Sequence, residues 1–153
     1  MTLSDIENDL TTCIYHLNST KTKGTLIESF LTQFLLVRIC GQYEKEIERI
    51  VNERSQKFGD TDLAYFVKNT FQSHQHLKLD DIRGKILKKF NENMSIEFDS
   101  MIKNTEPEIR YRNIVTNRDA GAHGGTVNMT FDELILSHNQ AKKVLEALSD
   151  VLK

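Results

Sequence analysis

Arg118 and His123 stand five positions apart in the stretch Asn117-Arg118-Asp119-Ala120-Gly121-Ala122-His123-Gly124-Gly125. A carboxylate follows the arginine, and glycines surround the histidine. These residue types suit work on a phosphodiester. A guanidinium is permanently charged and offers phosphate oxygens a planar fork of donors. An imidazole titrates near pH 6.5 and so exchanges protons at neutral pH. Together they are what RNA cleavage without a metal requires: the histidine would move a proton at the 2′-hydroxyl or the leaving oxygen, and the arginine would stabilise charge building at phosphorus. Asp119 would orient Arg118 or hold the histidine tautomer. Gly124 and Gly125 would leave room and let backbone amides approach a phosphate. The alternative is that Arg118 and His123 merely cap a helix.

On an unbroken helix, five residues turn through roughly 140°, so the two side chains would diverge. Each of Gly121, Gly124 and Gly125 costs about 1 kcal/mol relative to alanine in a helix interior. The pattern therefore predicts a helix carrying Arg118 that frays into a turn carrying His123.

The motif Arg118-Asp119-x-x-Ala122-His123-Gly124 resembles the R-x4-H signature of the HEPN superfamily, in which a polar residue follows the arginine and small residues flank the histidine. Asp119 stands where that family usually has asparagine, and Gly121 where a larger apolar residue is frequent. Residues 25–58 and 82–148 are most similar to the RiboL-PSP branch. The resemblance implies an all-α HEPN-like bundle with one long central helix and a capped C-terminal helix. It also implies a metal-independent endoribonuclease with no cofactor, a toxin or defence effector acting on RNA as a homodimer whose cleft joins two motifs. In that scheme Arg118 and His123 are catalytic, Asp119 supports them, and Gly124 shapes the cleft. An antitoxin or another regulatory protein is a further expected partner. The alternative is a non-catalytic HEPN module that dimerises or binds RNA or protein.

The elements that must position these residues follow from capping and apolar spacing. Ser4 to Glu7 reads as a capping box, and Ile6, Leu10, Ile14 and Leu17 recur at helical spacing after it. Thr25 and Glu28 read as a second box, opening a pattern that runs to about Lys57. Its first half is apolar on nearly every side, which calls for burial on more than one face; a second subunit is one candidate for the extra cover. Gly41 marks either a bend or a close helix contact. Phe58-Gly59-Asp60 ends that helix, and Leu63, Tyr65, Phe66, Val67 and Phe71 form a shorter aromatic one. Ile82, Ile86, Leu87 and Phe90 predict a fourth, and Phe98, Met101 and Ile102 another short one. Thr105-Glu106-Pro107-Glu108 then caps the motif helix, with proline where a missing N–H is harmless and with Ile109, Ile114 and Val115 as its buried contacts. Thr130 and Glu133 cap the last helix, and Met129 with Leu134 forms a hydrophobic staple.

Composition sets the remaining bounds. At 153 residues the chain reads as a single domain, 1–153. One proline, seven glycines and no tryptophan suit a helical protein. A formal net charge of −2 means that any nucleic acid must meet a local basic patch. Arg110 and Arg112 either contact RNA backbone there or are ordinary solvated charges, and Lys85, Lys88 and Lys89 read as a solvated helix face. The N-terminus lacks the marks of a signal peptide. The most apolar run, 26–40, is interrupted by Glu28, Gln33 and Arg38, short of the ~18 residues a membrane span needs. A cytoplasmic protein with no membrane partner is expected. Cys13 and Cys40 read as buried free thiols. No metal site is expected, since His74 and His76 lack further ligands nearby. His16 and His138 read as interface or core-edge residues. Tyr43-Glu44 reads as packing, with support of the cleft by Glu44 as the alternative. The glycines lack the Lys-Ser/Thr of a phosphate-binding loop.

Overall fold

Inward-facing apolar residues at helical spacing produce an all-helical arrangement in the computed structural model, which describes residues 3–72 and 77–153. The helices are α1 (Leu3–Ser19), α2 (Leu26–Gln56), α3 (Thr61–Gln72), α4 (residues 79–90), α5 (Glu92–Ile102), α6 (Glu106–Ala122) and α7 (Phe131–Val151). Among the described residues there is no strand. None of these helices is long and apolar enough to cross a membrane. His74 and His76 lie outside the described residues, as do the side chains of Ser4 and Phe71.

The long helix forms as its pattern predicts, and α2, at 31 residues, extends about 46 Å. Gly41 lies inside it without ending it. The expectation of cover on nearly every side holds for only part of the circumference. Thr32, Leu35, Leu36, Ile39, Cys40, Tyr43, Ile47, Ile50 and Val51 are buried, while Leu26, Ile27, Phe30, Phe34 and Val37 are exposed. The Thr25–Glu28 box does not close. Thr25 accepts from the Ile27 amide, and the Glu28 carboxylate instead receives the amides of Gly24 and Phe131, which ties the start of α2 to the start of α7.

α1 is described from Leu3 onward, and the expected Ser4–Glu7 box lies outside the described residues. Two further boundaries differ from the spacing argument. The residues 79–90 form a continuous rod whose middle, Ile82–Leu87, widens into a π-helical turn. Asn91 caps α5, so that helix begins well before Phe98.

On α6, Ile114 and Val115 are buried as expected, but Ile109 is 56% exposed. Glu108 and Tyr111 take the inward positions instead. Glu108 accepts from Arg83 at 2.9 Å, from Arg112 and from the Asn104 amide, so a charged side chain is satisfied where an apolar one was anticipated. Arg83 is further held by Asp99 at 2.6 Å. Thr105 makes no capping bond from its side chain, which donates to Ile102 instead. On α7 the predicted box is complete: the Thr130 side chain accepts from the Glu133 amide, and the Glu133 side chain accepts from the Thr130 amide.

Leu134, Val144, Leu148, Phe131, Phe98 and Ile114 join the inner faces of α1 and α2 in one core cluster. At its centre three rings stack. Tyr111 lies 5.5 Å from Tyr43, and Tyr43 lies 5.8 Å from His138, with interplanar angles of 10° and 15°. The Tyr43 hydroxyl meets His138 Nδ1 at 2.9 Å, and the Tyr111 hydroxyl donates to the Leu77 carbonyl at 2.9 Å. His138 is therefore fully buried, not at the edge of the core, whereas His16 is exposed. Cys40 is buried and Cys13 half-buried, both as free thiols.

Candidate functional site

The stack of rings fixes the register of α2 against α6, and the next polar pair along those helices is Glu44 and Arg118. Arg118 Nη2 donates to Glu44 Oε1 at 2.7 Å, and its Nη1 lies 3.1 Å from Asp119 Oδ1. The other Asp119 oxygen faces Lys78 Nζ at 3.8 Å. The result is a chain of alternating charges, Glu44–Arg118–Asp119–Lys78, across the end of α6. The Arg118 side chain keeps 21% of its surface exposed, so it is both oriented and reachable. Beneath it lies Cys40, whose thiol burial pushes up to about 12 while the nearby guanidinium pulls the other way. That thiol stays neutral at the inner edge of the cluster.

The glycines act differently from the expected fraying. α6 continues through Gly121 to Ala122, and His123 is its C-cap, with φ −99° and ψ 16°. Gly124 adopts φ +73°. Its amide donates to the Gly121 carbonyl at 3.3 Å, and the Gly125 amide donates to the Ala120 carbonyl at 2.8 Å. This pair of bonds is a Schellman motif, which needs a residue free to enter the left-handed region. Helix carbonyls thus occupy both glycine amides. Gly124 shapes the site through its conformation, by turning the chain away just after His123.

The following loop folds back on the helix. The Asn128 amide donates to Asn117 Oδ1 at 2.8 Å, and Val127 packs so closely that a Cβ on Gly121 would lie 3.1 Å from its Cγ2. A glycine at 121 is what permits that approach. His123 is left exposed at the corner, and no described residue hydrogen-bonds its ring.

Arg118, Asp119 and His123 therefore share one helix end, with Gly124 terminating it. Arg110 and Arg112 lie further back on α6. Arg110 pairs with Glu106 at 3.3 Å, and Arg112 with Glu108 at 3.1 Å and Asp80 at 3.4 Å. Lys85 pairs with Asp81, and Lys88 and Lys89 face solvent. Among the described residues no group of three or more His, Cys, Asp or Glu is arranged to hold a metal.

Two members of the charge chain carried little weight in the sequence. Glu44 read first as packing beside Tyr43, with support of the cleft as the alternative. Lys78 gave no local signal, because its place depends on Tyr111 anchoring the preceding residue from a different helix.

Shallow hollows flank this chain of charges. One of about 250 Å³ lies between α2 and α6, bordered by Phe30, Phe34, Val37, Arg118, Gly121 and Val127. The other, about 240 Å³, lies on the Asp119 side, against the start of α4.

The family model described as RiboL-PSP-HEPN matches residues 1–153. Neither a curated protein nor a solved structure matches the chain significantly.

Proposed function

The chain belongs to the RiboL-PSP-HEPN family, and on that premise we propose that it is a metal-independent endoribonuclease, a toxin or defence effector, whose cleft forms where two copies meet. The observation that carries this reading is the arrangement at the end of α6. A guanidinium held at 2.7 Å by Glu44 stands five residues before an exposed imidazole at the C-cap of the same helix.

In the proposed reaction the RNA 2′-oxygen attacks the adjacent phosphorus, and the bond from phosphorus to the 5′-oxygen breaks. One His123 takes the 2′-hydroxyl proton, and the His123 of the second copy gives a proton to the departing 5′-oxygen. Arg118 donates to the non-bridging oxygens as negative charge accumulates there. Asp119 steadies Arg118 from its other side. The products are a 2′,3′-cyclic phosphate and a 5′-hydroxyl.

Support for the second copy comes from α2. Ile27, Phe30, Phe34 and Val37 follow intervals of three and four and form an exposed stripe, with exposures of 45–60%. A monomer seldom leaves so continuous an apolar row in water. The stripe leads to the hollow beside Arg118, so a copy seated on it adjoins the motif. Arg110 and Arg112 remain candidates for RNA backbone contacts, on condition that phosphate displaces their carboxylate partners.

The competing reading is a HEPN module without catalysis, and one observation favours it. Glu44 and Asp119 together offset the charge of Arg118. The deciding experiment follows RNA cleavage by pure protein in excess chelator, beside His123→Ala and Arg118→Ala. The nuclease reading expects cyclic phosphate ends from wild type and at least a hundred-fold less product from either variant. Intact RNA with wild type, or equal cleavage by all three proteins, would leave the module reading standing.

A further inference from the structure

The hollow on the Asp119 side differs chemically from the one beside α2. Its floor is Leu79, Tyr111 and Val115, which are 1%, 0% and 7% exposed. The floor is stiff, because the Tyr111 ring is stacked on Tyr43 and its hydroxyl is bound to the Leu77 carbonyl. The rim carries Lys78, Asp80, Arg112, Thr116 and Asp119.

That rim decides the ligand class. Two cations and two carboxylates sum to no net charge, so a phosphate would meet as much repulsion as attraction. A neutral ring with N–H donors meets an apolar floor for its face and carboxylate acceptors for its edge. The volume of about 240 Å³ lies below the ~300 Å³ at which pockets for drug-sized ligands begin, and so suits a single ring system. Both ion pairs of Asp80 pass through Oδ1 and are loose, 3.5 Å to Arg83 and 3.4 Å to Arg112. The side chain is 79% exposed and can turn toward a ligand.

Position links the hollow to the candidate cleavage site. Asp119 pairs with Arg118 at 3.1 Å and also forms part of the rim. A strand of RNA with its diester over Arg118 brings a neighbouring base to this side of α6. The hollow on the other side adjoins the apolar stripe of α2, where the second copy is seated.

We propose that this hollow is a nucleobase subsite, taking the base next to the diester at Arg118 and preferring one with an exocyclic amine. Asp80 is its specificity-determining residue, accepting from that amine, and Lys78 marks the path of the adjoining backbone. The location of the RNA rests on the ribonuclease reading; the existence of a base-binding hollow does not.

The test uses 2′-O-methyl decamers of adenosine, cytidine and uridine, which cannot be cut through the 2′-oxygen, and reads binding by fluorescence anisotropy. Adenine and cytosine carry an exocyclic amine, and uracil does not. Wild type should bind the first two about ten-fold more tightly than the uridine decamer, within the range of one base-edge contact. Thr116→Trp fills the hollow from an exposed helix position, and Asp80→Asn removes the acceptor charge without changing shape. Either should reduce the ratio to about two-fold or less. An equal ratio in wild type and both variants, or no preference in wild type, overturns the subsite. Preference that collapses in the variants, in a protein that cuts no RNA, keeps the subsite and removes the ribonuclease reading. RNA that is cut with cyclic phosphate ends while the decamer ratio stays fixed does the reverse.

Discussion

Arg118 Nη2 lies 2.7 Å from Glu44 Oε1, and the residue before Glu44, Tyr43, stacks on Tyr111, two turns back from Arg118 on α6. The ring pair and the ion pair are therefore successive contacts of one helix-to-helix seam. Packing at the first sets the angle at which the guanidinium is presented at the second. His138 continues the stack into α7, so three helices share in placing one arginine.

Glu44→Gln should separate positioning from stability. Both partners of the pair are about a quarter exposed, so losing it costs on the order of 1 kcal/mol or less. Cleavage is more sensitive, because a displacement of about 1 Å at a reacting group costs about a hundred-fold. The expected result is at least a ten-fold drop in kcat with KM and the melting curve nearly unchanged. Unaltered kcat in a folded protein would show that Arg118 needs no partner on α2.

The sequence carried most of the helices, because their signals are local. Thr130 and Glu133 lie three apart, and Leu134, Leu145 and Leu148 repeat at helical spacing whatever surrounds them. The HEPN-like bundle with a long central helix follows from those signals and from the resemblance at Arg118 to Gly124. What could not be read were contacts between distant segments. Ile109 looked like core and Glu108 like a capping residue, until Arg83, 25 residues earlier in the chain, gave Glu108 a buried partner. The glycines showed that the helix must end, but placing that end required knowing that Gly124 takes the positive φ and Gly121 does not. Glu44, read as packing with support of the cleft as the alternative, gained its partner Arg118 only through a contact spanning 74 positions.

Val37→Lys tests the second copy. Val37 is 57% exposed in the protomer, so a lysine there should leave helicity and core packing intact. At a two-fold seam it would place two ammonium groups in an apolar contact. Sedimentation velocity should show wild type as a dimer at micromolar concentration and the variant as a monomer, with cleavage falling in parallel. A monomeric wild type that still cuts RNA would confine the whole reaction to one His123.

The buried His138 predicts a dependence of stability on pH. Burial, aided by Lys142 and opposed by Glu7, lowers its pKa from the usual 6.5 to about 4. Between those values the unfolded chain binds a proton that the folded chain refuses. Stability from this residue is complete above pH 6.5 and is lost as the pH falls toward 4, by up to ~3 kcal/mol. Urea midpoints at pH 7 and pH 4.5 should differ more for wild type than for His138→Gln, which has no proton to gain. Equal differences would mean that His138 is protonated in the fold.

Gly124→Ala tests whether the helix terminator positions His123. At φ +73° an alanine is strained by about 1–2 kcal/mol, although no atom lies within 4 Å of the added methyl. Stability should fall by about that amount, visible in the urea midpoint. The chain has two ways to absorb the strain. Keeping the Schellman bonds leaves His123 at the C-cap, and cleavage by the folded fraction is unchanged. Releasing them lets the last turn of α6 open and displaces the imidazole from the C-cap. The bonds from Gly124 to Gly121 at 3.3 Å and from Gly125 to Ala120 at 2.8 Å are few against that strain, which favours release. The expected outcome is a modest loss of stability with a ten-fold or greater loss of kcat. Full kcat with the same stability loss would show that His123 acts from a turn whose exact form does not matter.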